Sequence, residues 1–329
     1  MTDAPRTRDN EAMGDVTRTV YGIYYPETRR VVDALWASRP HGWYEQNYSG
    51  KQDGMHRACM ERWRAWVGAA GVTLGDGFVH EAPTAGANEA IHALLAQSAA
   101  FGRPRIHVFA GEYEGYTHVA AGLGLEVVVH PRAAELFRVS IANKAGAGDV
   151  FWISQPSSID GNLWTGFDAF RDWLPTGAPG VDLVVDLTYV GAVASETPID
   201  LARDHVAAVI WSLSKPFGVY YHRIGGVVSR REVPTLRGHH WFKNLFSVQL
   251  GQRLMESYAA RELPGRYNKA QEQATLRARE TGEISPGACA SDVVMLAYAE
   301  ASGGAWKDFA RGDGLRFCLS PGMDRSINA

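Results

Sequence analysis

The segment Ser212-Leu213-Ser214-Lys215-Pro216-Phe217-Gly218, followed by Arg223 and Gly225-Gly226, concentrates reactive and ligand-holding groups. A lysine between a strand end and a glycine, ringed by small hydroxyls, can lose its proton and form a Schiff base with a carbonyl group. Ser212 and Arg223 lie within reach in sequence, and a hydroxyl with a guanidinium is a natural pair for holding a phosphate. Ser-x-Ser-Lys also occurs in surface turns, so this segment alone leaves an ordinary solvated lysine open. The second segment, Asp186-Leu187-Thr188-Tyr189, directly follows an apolar run. A carboxylate there can cap a helix or turn, or keep a ring nitrogen protonated. The third, Pro83-Thr84-Ala85-Gly86-Ala87-Asn88-Glu89-Ala90, is a small-residue turn opening a helix. Backbone N–H groups and the helix dipole make such a turn an anion site, and a plain N-cap is the alternative.

Those residues need a scaffold. Apolar runs at 105–110, 125–129, 150–154, 181–186, 207–212 and 224–229 lack clean alternation. That predicts strands covered on both faces, hence a mostly parallel sheet flanked by helices. Helical spacing recurs at 31–37, 56–70, 88–100, 116–123, 236–258 and 267–280, and short strands such as 315–319 are mixed into the end of the chain. The expected class is α/β: a three-layer α/β/α large domain over residues 46–230 and a smaller α+β domain over 231–329. Residues 1–45 are expected to form an arm and part of the small domain. Ligand residues in open α/β sheets gather at the carboxyl ends of strands. Ser154, Asp186 and Ser212 sit at such ends, with Tyr113 and Lys215 a few residues beyond.

Composition narrows the function classes. A chain of 329 residues suggests about two domains. Net charge is 33 − 36 = −3 with both signs interspersed, which argues against a nucleic-acid partner. No apolar run approaches the ~18 residues of a membrane span, and the polar N-terminus lacks the apolar stretch of a secretory signal. A cytoplasmic protein without membrane partners is the expectation. Three cysteines without a CxxC and 11 histidines without an HExxH predict no metal site. Gly122-Leu123-Gly124 precedes a strand, the wrong order for a dinucleotide loop. Arg311-Gly312-Asp313 reads as a turn, and His239-His240-Trp241-Phe242 as helix surface. The Trp43-Tyr44 and Trp63/Trp66 pairs read as core or dimer interface.

Taken in order, these segments resemble fold-type I pyridoxal-phosphate enzymes, the class I and II aminotransferase family, from about Tyr48 to Arg316. The resemblance implies pyridoxal 5′-phosphate as cofactor and Lys215 as the lysine of the internal aldimine, which also shuttles a proton between substrate Cα and cofactor C4′. It makes Asp186 the partner of the pyridine nitrogen and Tyr189 that of the ring O3′. Ala87 and Asn88 take the phosphate turn, completed by Ser212 and Arg223, and Tyr113 stacks on the ring. Tyr48 is lent to the phosphate by the other subunit of a homodimer, and Arg316 grips the substrate α-carboxylate. The chain departs from the family at its Asn-Pro-x-Asn-Pro-Thr-Gly stretch, which here is Gln155-Pro156-Ser157-Ser158-Ile159-Asp160-Gly161. Ser158 takes the place of the second asparagine, with Asn162 as the alternative. The implied activity is amino-group transfer between amino acids and keto acids in amino-acid metabolism or biosynthesis. A lyase or cyclase, by elimination or ring closure on a modified amino acid, is the alternative. A non-catalytic regulator on the same fold would carry a DNA-binding domain, for which the ~45 residues before the core are too few.

Overall fold

The computed structural model describes residues 14–38, 51–103, 105–241, 243–300 and 306–328. Its centre is a seven-stranded sheet. In chain order the strands are β2 (His80–Ala85), β3 (Arg105–Phe109), β4 (Glu126–His130), β5 (Val150–Ser154), β6 (Asp182–Asp186), β8 (Val206–Ser212) and β9 (Ile224–Ser229). Two further strands, β1 (Val72–Thr73) and β7 (Ile199–Asp200), form a separate short parallel pair. Across the large sheet the order is β2-β9-β8-β6-β5-β3-β4. The run from β8 to β4 is parallel, and β9 is antiparallel to both of its neighbours.

Both faces of the sheet are covered, which is why its strands read as continuous apolar runs. Along β5, Phe151 and Ile153 belong to one apolar cluster while Val150 and Trp152 belong to the other. Helices α3 (Ala87–Ala100) and α4 (Glu114–Gly122) supply Ile91, Leu95, Tyr116 and Ala120 to the second cluster. The opposite face is packed by α2 (Lys51–Ala69), α5 (Ala134–Lys144) and α6 (Phe167–Gly177) through Trp63, Phe137, Phe170 and Leu174. The architecture is the three-layer α/β/α unit expected.

A four-stranded antiparallel sheet follows, with strands β10 (Cys289–Ala290), β11 (Leu296–Glu300), β12 (Ala310–Arg311) and β13 (Gly314–Cys318) in the order β10-β11-β13-β12. Helices α9 (Glu262–Glu280) and α10 (Ser320–Asn328) accompany it. The chain's beginning returns to this end of the molecule. Thr17 bridges to Cys318, and the Tyr24 N–H donates to Asp324 at 3.1 Å just before α1 (Pro26–Ala37). Among the described residues no helix is long and apolar enough to cross a membrane.

Two local expectations change. Residues 83–85 are not a turn but the end of β2. Pro83 is tolerated because β2 is an edge strand whose only neighbour among the described residues is β9, and an edge strand spares one side of its N–H groups. Only Gly86, at φ 74°, makes the turn. The expected helix over 236–258 is two pieces, α7 (Pro234–Gly238) and α8 (Leu245–Ser257), so His239, His240 and Trp241 lie in the turn after α7 and not on a helix surface. Asn244 accepts the Ser247 N–H at 3.2 Å and starts the second as its N-cap. Helix α8 packs on α2 and β9, and α7 on α3.

Candidate active site

The carboxyl ends of the parallel strands open onto a cavity of about 280 Å³ lined by Ala87, Asn88, Tyr113, Ser158, Asp186, Tyr189, Ser212, Lys215, Arg223 and Arg316. Of the candidate residues named from the sequence, Asn162 does not line it, and Tyr48 lies outside the described residues, as do Trp43 and Tyr44.

Lys215 stands three residues past the end of β8. Its Nζ donates to the carbonyl oxygen of Val20, in the strap that leads into α1. That strap is threaded against the lysine loop through two glycines. A Cβ on Gly22 would lie 2.2 Å from the Ser214 carbonyl oxygen, and one on Gly218 would lie 2.2 Å from that of Ile23. Burial pushes the Lys215 ammonium down to about 8, and the neighbouring Arg316 and Arg223 charges act in the same direction.

Asp186 ends β6. Its Oδ2 accepts the Tyr116 hydroxyl at 2.7 Å and its Oδ1 accepts the Thr188 N–H at 2.8 Å. Burial raises its pKa, and these donors partly offset that by favouring the anion. Tyr189 follows one turn later, and burial holds its phenol up at about 12. Tyr113 precedes α4, with its hydroxyl donating to Asn88 Oδ1 at 3.2 Å and its ring edge-on to Tyr116 at 5.4 Å.

The turn from β2 into α3 forms an anion cradle. Ala87 and Asn88 open the helix, so their N–H groups have no intrahelical acceptor. Arg223 lies against the turn, its Nη2 donating to Ala85 O at 3.1 Å, and a Cβ on Gly86 would lie 2.5 Å from that nitrogen. Arg223 itself sits in the left-handed region at φ 53°, a conformation that costs a non-glycine residue about 1 kcal/mol or more. Ser212 Oγ, 2.9 Å from Ser214 Oγ, borders the same space.

Arg316, on β13, donates through Nη1 to the Ser158 carbonyl oxygen, while its buried Nε has no partner among the described residues. Ser158 is tied differently from an amide. Its hydroxyl donates to Glu112 Oε2 at 2.7 Å, an oxygen that also accepts the Ser154 hydroxyl at 2.7 Å. Glu112 Oε1 accepts the Ser154 N–H at 3.2 Å. Burial raises the Glu112 pKa against the pull of these donors. Asn162 is engaged elsewhere. Its Oδ1 accepts the Asp292 N–H at 2.9 Å, and it does not line the cavity.

Several lining or supporting residues went unread in the sequence: Glu112, Tyr116, Thr188, Ser214, Tyr220 and Arg311. Tyr116 had a signal, lying three residues after Tyr113 at helical spacing. Arg311 had none, because a long-range contact places it. The Arg311-Gly312 turn lies against the loop carrying Tyr113, where a Cβ on Gly111 would be 2.4 Å from Gly312 N. Arg311 pairs with Glu114 at 2.6 Å.

The statistical profile of the class I and II aminotransferases matches residues 82–248, from the phosphate-type cradle through the lysine segment and beyond. The chain belongs to that family. A search of curated sequences returns no match. Solved structures share the fold at low identity. A pyridoxal-phosphate-bound C–S lyase from Staphylococcus hominis superposes with a TM-score of 0.72 at 14% identity, covering 99% of this chain and 88% of the other. A mutant Thermus thermophilus aspartate aminotransferase gives 0.71 at 14%, covering 99% and 98%. The Clostridium acetobutylicum histidinol-phosphate aminotransferase gives 0.67 at 11%, covering 95% and 96%.

Pyridoxal 5′-phosphate is the cofactor of this family, and the aminotransferase-family site has the shape and donors to fit it. The glycine at the cradle leaves room where any side chain would strike Arg223, and the unpartnered N–H groups of the helix start point to an anion. A buried carboxylate and an amine of lowered pKa share the same cavity.

Proposed function

We propose that this chain is a pyridoxal-phosphate-dependent aminotransferase acting on the α-amino group of an amino acid. The observation that carries the reading is the convergence of Lys215, Asp186 and Arg316 on one cavity, beside a phosphate-type cradle. When bound, the cofactor supplies a carbonyl that condenses with amines and a ring that accepts the electron pair released at the substrate Cα.

The chain's own groups would do the rest. Lys215, poised near neutrality, would take the proton from substrate Cα and deliver it to cofactor C4′. Asp186 would hold a proton on the ring nitrogen, and that cation would in turn stabilise the buried carboxylate. Tyr189 would donate to O3′ and Tyr113 would cover one ring face. Ala87, Asn88, Ser212 and Arg223 would bind the phosphate, and the Arg316 fork would orient the α-carboxylate. A Tyr48 contribution from a second subunit, and so a homodimer, is part of the proposal. So is a cytoplasmic setting without nucleic-acid partners. We place the division between the large and small units after α8 rather than at residue 230, because α7 and α8 pack on the large layer.

One observation favours a lyase or cyclase as the second reading. Ser158 spends its hydroxyl on Glu112, so O3′ would lack the amide donor that the family usually sets there. The test is the visible spectrum of purified protein loaded with pyridoxal phosphate, for wild type and Lys215→Ala, before and after an amino-acid panel. A visible band absent from the variant and converted by amino acid alone to the pyridoxamine form supports transamination. Release of ammonia without a keto acid supports the lyase. A protein that takes up no cofactor overturns both.

A further inference from the structure

Away from the cavity, the first turns of α2 meet the turn between α7 and α8. Asp53 and His56 come from the helix and His240 from the turn. One ligand atom from each lies within 4.8 Å of the others, and His240 Nε2 is 2.6 Å from Asp53 Oδ1. The two imidazoles meet edge to face with centroids 5.1 Å apart. His56 is only 4% exposed, yet neither of its ring nitrogens has a hydrogen-bond partner among the described residues. A buried polar ring left wholly unpaired forfeits the hydrogen bonds that water would have given it, and such groups are rare without a reason.

We propose that Asp53, His56 and His240 form a binding site for a divalent transition-metal ion, Zn²⁺ foremost, distinct from the cofactor cavity. Two imidazoles and one carboxylate are a donor set that suits zinc, with a fourth position left to water. Bond lengths of about 2.0–2.2 Å put tetrahedral ligands about 3.3 Å apart, and the three donor atoms already lie within 4.8 Å of one another. An imidazole coordinates through the lone pair of a ring nitrogen, and a His56 ring without hydrogen-bond partners among the described residues has one to offer. Asp53 and His240 keep 37% and 40% of their side chains exposed, which gives an ion a way in.

The clamp would connect to the cofactor side through one short path. Lys243, three residues past His240, pairs with Glu89 at 2.8 Å, and Glu89 accepts the Ala85 N–H at 2.6 Å beneath the phosphate cradle. A metal there would pin the start of α2 to the turn that carries this lysine.

The test uses the full-length protein loaded with pyridoxal phosphate, with Zn²⁺ alone as probe. Equilibrium dialysis with elemental analysis is expected to give one saturable zinc per chain and a zinc-dependent rise in thermal midpoint. His240→Asn and Asp53→Asn, at partly exposed positions, should each weaken zinc binding at least tenfold while the cofactor band is unchanged. His56→Leu fills the buried position and should abolish binding. If His56→Leu fails to fold, the two surface variants still decide the matter. No saturable zinc on the wild type, or equal zinc on wild type and both surface variants, overturns the proposal.

Discussion

The amine of Lys215 offers the sharpest prediction, because its environment sets a number. Burial, with Arg316 and Arg223 nearby, lowers it from 10.5 to about 8. Covalent capture of a carbonyl requires the neutral amine. At pH 7 roughly one Lys215 in ten would be neutral, against roughly one in 3,000 for a lysine at 10.5, an advantage of about 300-fold in reactive amine. The second-order rate of pyridoxal-phosphate capture by apoprotein, followed by stopped-flow absorbance, should therefore rise about tenfold per pH unit below 7 and level off above a midpoint near 8. Arg316→Leu should move that midpoint upward. The same shift makes a stability claim. The folded pKa lies below the unfolded one, so the unfolded chain binds more protons between 8 and 10.5 and stability rises with pH across that window. Below pH 8 the buried ammonium costs the apoprotein up to about 3 kcal/mol, so Lys215→Met should stabilise it there and converge with wild type above pH 10. A capture midpoint above 10, or a Lys215→Met variant no more stable at pH 7, would refute the reasoning.

Other expectations follow from single contacts. Gly86→Ala combines a φ of 74° with a Cβ 2.5 Å from Arg223, so cofactor affinity by fluorescence titration should fall roughly 10- to 100-fold, at ~1.4 kcal/mol per tenfold. An unchanged affinity would remove the turn from the phosphate site. Arg316→Leu should lower kcat/KM at least ~30-fold, with Arg316→Lys recovering only part because an ammonium cannot form the planar fork. Equal losses in both would argue against that fork. Glu112→Ala strands the Ser154 N–H and two hydroxyls and should cost about 2–4 kcal/mol in urea unfolding, against about 1 for Ser158→Ala. His130, buried between His107 and Ser140, is held down at about 4 by burial and by its neighbour His107. Its folded pKa lies below the unfolded value, so stability is lost as pH falls from about 6.5 toward 4. A His130→Gln variant should show a flatter decline over that window, and an equally steep one would assign the acid loss to other groups.

What the sequence determined by itself follows from short-range chemistry. Strands 150–154 and 224–229 were legible to the residue, because burial on both faces leaves an unbroken apolar run. Lys215 and Asp186 were legible because a reactive residue type sits at or just past the end of such a run, Arg223 because it stands just before one, and Tyr189 through the family resemblance. Edge strand β2 was misread because Pro83 and Gly86 are turn residues wherever tertiary pairing does not overrule them. Only the folded chain decided the rest, since it turned on contacts between distant segments. Glu112 reached Ser158 across 46 residues, and Arg311 entered the cavity because Gly312 docks on Gly111. The Val20 strap lies over Lys215 because two glycines, 196 positions apart, let backbones touch. Such pairings leave no local spacing to read. They arise when sheet order and helix packing bring remote residues within hydrogen-bond range, and burial then shifts their pKa values by desolvation that no single segment encodes.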